Sequence, residues 1–170
     1  MKTTLLLPTI LLMTLSLQAR QATQESPSDH HAGVTSRGDQ AMGFSHEKTT
    51  HHFRLFKDGG AIEVQANDPA DNTSRDEIRT HLSHIAEMFA EGNLNVPMFI
   101  HDTTPPGAPV MEKRHDLIHY KFQPTDTGAR VSIRTADQQA LKAVHEFLRF
   151  QIAEHHTGDS TDIANDSGGN

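Results

Sequence analysis

The chain has 170 residues, enough for one domain with flanking tails. It contains no cysteine, which excludes disulfides, thiolate metal sites and a cysteine nucleophile. A net charge of −7 and 5% aromatic content with no Trp argue against a phosphate-binding or base-stacking surface, so no nucleic-acid partner is expected. The 13 histidines would change charge over roughly pH 5–8, which makes the net charge sensitive to mild acid.

Lys2 and the apolar run of residues 5 to 17 have the form of a signal peptide, assigned to residues 1–19, with cleavage near Ala19 or Ala22. The run is too short for a standard membrane span, so no stable span is expected after cleavage; the alternative is an uncleaved N-terminal anchor. The mature protein is then expected to be periplasmic or secreted. Residues 20–41 are polar without apolar periodicity and read as a disordered linker, and residues 157–170 read as a disordered tail. The ordered domain is expected over residues 42–156.

Within it, Phe53, Leu55, Ile62 and Val64 alternate with polar residues around Asp58-Gly59-Gly60, the pattern of a β-hairpin. A helix follows. Asp71, Thr73 or Ser74 can cap it, Ile78, Leu82, Ile85 and Phe89 recur at helical spacing, and Gly92 ends it. Residues 96 to 116 form a Pro-rich connection. A second hairpin has Ile118, Tyr120 and Phe122 on one side, Val131 and Ile133 on the return strand, and Thr127-Gly128 at the turn. Asp137 can cap the last helix, whose inner stripe is Leu141, Val144, Leu148 and Ile152.

The two halves share the order strand, Gly turn, strand, Asp cap, amphipathic helix. The expected fold is therefore α+β: duplicated ββα units forming a four-stranded antiparallel sheet with two helices on one face. The other face would carry His52, Arg54, Glu63, Gln65, His119, Lys121, Ser132 and Arg134, either solvated or as an interface.

Strand geometry separates the His51-His52 doublet. Adjacent strand residues point to opposite faces, so His51 shares the side of Phe53 and His52 faces outward. His51 is either a cleft-facing group or the polar start of a strand. His81 and His84 are three apart on a helix but flank the apolar stripe on opposite sides. His101 lies between Met98 and Met111, next to Pro105-Pro106-Gly107. That setting suits either a soft metal or a packed crossover whose methionines fill gaps. His145 sits beside Leu141, Leu148 and Ile152, and His155 lies about 15 Å further along the helix axis, so those two cannot share one ion. No nucleophile elbow, P-loop, HExxH or dinucleotide fingerprint is present.

The segments MGFSHEKTTHHF, HLSHIAEMFAEGN, PMFIHDTTPPG, TGARVSIRTAD and VHEFLRFQIAEHHTGD together resemble a family of small, often exported bacterial proteins that frequently carry the label aspartate carbamoyltransferase. The likeness spans residues 41 to 159. Its pattern is matched by Thr49, Thr50, His51 and Phe53, by His81 and Leu82, by Ile100, His101, Pro106 and Gly107, and by His145, Gln151 and His155. The resemblance implies that His51, His81, His101, His145 and His155 rank ahead of the other histidines. It does not imply carbamoyl transfer. Such an enzyme closes two α/β domains over its substrates, and its Ser-Thr-Arg-Thr phosphate loop has no counterpart here.

Three functions follow as expectations. The first is a binding protein holding copper or zinc through part of His51, His81, His101 and His145, each as a neutral imidazole. The second is a small enzyme using a His101/His81 pair for acid–base chemistry. The third is a structural or interaction module using the open sheet face, in its simplest form as a homodimer.

Overall fold

The computed structural model describes residues 27–165. The expected signal peptide and the outermost parts of both flanks lie outside the described residues. The fold is α+β: a four-stranded antiparallel sheet flanked by helices. Its strands are β1 (Thr49–Phe56), β2 (Gly59–Ala66), β3 (His119–Pro124) and β4 (Gly128–Arg134), in the order β1-β2-β4-β3. The helices are α1 (Pro27–Met42), α2 (Asn72–Ala90), α3 (Asn95–His101), α4 (Ala108–Lys113) and α5 (Gln138–Glu154).

Local chemistry accounts for most of these boundaries. The Asp71 carboxylate accepts from the Ser74 N–H at the start of α2, and Asp137 accepts from Gln139 and Ala140 at the start of α5. Each thereby satisfies backbone donors that a helix leaves unpaired. In the first hairpin Phe56 pairs with Gly59. Gly59 has φ +149, and a Cβ there would lie 1.9 Å from the Ile133 carbonyl oxygen, so only glycine fits the close approach of β4.

Phe53, Leu55, Ile62, Val64, Val131 and Ile133 share one sheet face and form a single core with α2 and α5. The helices cross over: α2 packs mainly on β3 and β4, and α5 on β1 and β2. Each hairpin is therefore covered by the helix that follows the other hairpin. The opposite face has no helix over it among the described residues. Glu63 there bridges Arg54 at 3.6 Å and Arg130 at 3.1 Å, and the Arg130 guanidinium lies over the Phe56 ring.

Three segments differ from the sequence expectation. Residues 27–41, read as linker, belong to α1. Its own sequence carries little apolar periodicity, and tertiary contacts hold it: Val34 is buried and the Arg37 Nε donates to the Ile100 carbonyl at 2.8 Å. Residues 157–165, read as a disordered tail, run along the edge of β1. The Asp159 carboxylate accepts from the Phe53 N–H at 2.9 Å, and Ala164 bridges to Phe56 in parallel, with its N–H donating to the Leu55 carbonyl. This strap covers part of an otherwise open strand edge. The Pro-rich connection contains α3 and α4. Pro97 falls in the first turn of α3 and Pro109 in the first turn of α4, where a missing N–H costs no helical bond.

Candidate functional site

Four histidine rings and one phenylalanine ring form a continuous row at one end of the sheet. The His81 ring meets Phe44 edge-on, with centroids 5.7 Å apart, and Phe44 stacks on His51 at 6.1 Å. His51 stacks on His155 at 5.9 Å with planes 9° apart. His155 in turn meets His101 edge-on at 5.1 Å.

Each ring is placed by its element. His51 pairs across the sheet with Val64 and faces the helices, while His52 pairs with Glu63 and faces outward. His81 flanks the Ile78–Leu82–Ile85 stripe of α2. His101 ends α3 and is 1% exposed. The start of α4 is pinned against α5 by Gly107. Its φ is +82, and a Cβ there would lie 2.1 Å from the Ala143 carbonyl. Phe147, Gln151 and His155 recur every four residues along α5 and so share one helix face.

Two adjoining cavities meet at Met42, His51 and His155. The inner one, about 60 Å³, is mainly apolar and is lined by residues including Phe53, Ile85, Phe147 and Gln151. Roughly 10–15 Å³ of such space holds one water, so the cavity suits a fragment of a few heavy atoms. The outer cavity, about 290 Å³, is more polar, with Thr35, Thr49, Thr50 and Thr157 among its walls. Its cover is α1 on one side and the C-terminal strap on the other, the two segments that the sequence reads as disordered.

Burial lowers His51 from 6.5 to about 4, helped by neighbouring histidines, His81 foremost. Burial lowers His81 likewise to about 4, with His84 adding to the effect. Both are therefore neutral imidazoles at physiological pH, each offering one N–H and one lone pair. At the strap, desolvation pushes the Asp159 carboxyl up, but hydrogen bonds from the Phe53 N–H and from His52 outweigh it and hold the group below its usual value.

The sequence candidates separate. His51 and His81 line the inner cavity and are linked through Phe44. His101 lies behind His155, its Nε2 3.0 Å from the Gln151 Oε1 and its Nδ1 3.7 Å from a Glu154 carboxylate oxygen. It meets the Phe150 ring, and Met111 is buried in the core. His145 stands apart from the row. Its Nε2 lies 2.9 Å from the Phe56 carbonyl and 3.0 Å from that of Gly59, so it donates to the backbone at the β1–β2 turn. His101 and His81, the pair expected for acid–base work, stand at opposite ends of the row, with Phe44, His51 and His155 between them. Gln151 and His155 carry the site although periodicity alone did not single them out. Their signal was the Q-x-x-x-H spacing, which puts both side chains on one helix face.

Among the described residues no group of three or more His, Asp or Glu side chains is arranged to hold a metal ion. The parallel stacking of His51 on His155 does not converge their nitrogens on one point. No helix among the described residues is long and apolar enough to cross a membrane. Fold and site together define an α+β domain with a histidine-lined pocket at the end of its sheet. Compared with protein families, with curated proteins and with solved structures, the chain gives no match.

Proposed function

We propose that this is a small exported enzyme that handles a small molecule in the two-part pocket, with His51 and His155 as its acid–base pair. One observation carries the reading: the two stacked imidazoles form the shared wall between an inner apolar cavity and an outer polar one. A ligand that spans both cavities must pass them. His51, neutral above about pH 4, has a lone pair to take a proton and an N–H to give one. His101 packs edge-on against His155 and restricts its ring. NMR of the imidazole signals during a fragment screen tests the proposal. Saturable binding should move the His51 and His155 signals together and leave His145 unmoved. A screen in which no fragment perturbs either ring ends it.

Two further readings have narrower support. The copper or zinc site draws on imidazoles kept neutral by burial, and calorimetry at pH 7 with either ion would have to show saturable binding. The homodimer draws on the sheet face left uncovered among the described residues. Light scattering that returns a monomer at high concentration removes it. The repeated strand–strand–helix order fits an internal duplication of a ββα unit, and the resemblance to the small exported family is part of the same proposal.

A further inference from the structure

We infer that the inner cavity receives a short, uncharged molecule bearing a carbonyl-type oxygen, and that the side-chain amide of Gln151 is the donor to that oxygen. The inference rests on the pocket reading above and adds the ligand's chemistry.

Gln151 is 5% exposed and lines the inner cavity on α5 between Phe147 and His155. Its Oε1 is engaged by the His101 Nε2 at 3.0 Å, which holds the amide in one orientation. The other end, Nε2, is buried and has no hydrogen-bond partner among the described residues. A buried amide donor is normally satisfied, and one left open in a cavity wall is a demand for an acceptor.

The surroundings choose the kind of acceptor. Among the described residues no Lys or Arg lines either cavity. His51 and His81 are held neutral. A carboxylate in the inner cavity would thus be a buried charge without a cation, which is strongly disfavoured. A ketone, aldehyde, ester or amide oxygen accepts a hydrogen bond without bringing charge. The apolar walls suit its short hydrocarbon body, and any polar remainder can extend past His51 and His155 toward the threonines of the outer cavity.

The test uses the full mature chain with cyclopentanone, cyclopentane and cyclopentanecarboxylate as probes, read by NMR of the Gln151 amide and the imidazoles. Cyclopentanone should bind best and shift the Gln151 side-chain amide protons. Gln151→Leu and Gln151→Met, both similar in size and neither carrying a side-chain donor, should each weaken its binding about tenfold, the loss of one hydrogen bond. Far-UV circular dichroism confirms that each variant is folded. If cyclopentanone moves the His51 and His155 signals but binds both variants as tightly as the parent, the donor role falls and the pocket reading survives. Tighter binding of the carboxylate overturns the charge argument in the same way. If no probe perturbs the row of rings, both readings fall.

Discussion

The two hairpins of the sheet follow the same order of strand, turn and strand, yet they differ at one matching place on the helix-bearing face, where the first borders the histidine-lined cavity and the second is packed. In the second, Ile118 leads into β3 and is buried at 4% exposure, and Tyr120 meets the Phe89 ring edge-on under α2. In the first, His51 occupies the matching place two residues before the inward aromatic, Phe53, and its ring borders empty space. An aliphatic side chain at that place has only packing to gain. An imidazole keeps two polar nitrogens that need partners, which apolar helix side chains do not supply. The cavity at the first hairpin is walled instead by α1 and the start of the C-terminal strap. A cavity therefore forms where a polar ring interrupts an apolar stripe and the cover is a docked flank.

The largest expected break in this comparison comes from acid. His51 and His81 have folded-state pKa values lowered from 6.5 to about 4, so below pH 6.5 the unfolded chain binds protons that the folded one does not. Stability should be intact above about pH 6.5 and fall as the pH drops toward 4, by roughly 3 kcal/mol for each histidine. Urea unfolding at pH 7, 5.5 and 4 measures it. His51→Ile, which makes the first hairpin resemble the second, should remove about half of that loss. Equal acid sensitivity in parent and variant would show that His51 is not screened from water.

Packing gives a second contrast of nearly the same size. Ile118→Ala should cost about 3 kcal/mol, the usual range for emptying a filled core site. His51→Ala at pH 7 should cost about 1 kcal/mol or less, because one side of the ring already faces a cavity. Comparable losses in the two urea midpoints would contradict the difference between the hairpins.

His145 gives an intermediate effect. His145→Ala leaves the Phe56 and Gly59 carbonyls without their buried donor, at a cost of about 2 kcal/mol. Fragment binding in the pocket should be unchanged. The smallest effect is at the strap. Asp159→Ala should cost about 1 kcal/mol and speed amide exchange at Phe53, whose N–H donates to its carboxylate. Unchanged exchange there would mean that the strap does not hold the edge of β1.

Much of the fold was legible because its causes are local. Alternation at Phe53 and Leu55 marks a strand, and the Ile78–Phe89 stripe marks a helix. Asp71 and Asp137 announce caps through donors two or three residues away. The separation of His51 from His52 follows from the two-residue period of a strand, with no knowledge of the rest of the molecule. The short helices α3 and α4 were hidden because proline suggests a loop, although its place in a first turn costs nothing.

The flanks and the site were not legible, for a different reason. Docking of α1 depends on Arg37 reaching Ile100, and docking of the strap on Asp159 reaching Phe53, contacts that span 63 and 106 residues. Polar composition at these segments is what a disordered flank also shows. The sequence alone determined the strands, the helices α2 and α5, their caps and the face on which His51 stands, since each follows from neighbours a few residues apart. Only the tertiary structure decided that α2 and α5 exchange hairpins, that both ends of the domain cover the pocket, and that His51 meets His155. Those outcomes depend on how whole elements pack, and no local period encodes which rings will face each other across the core.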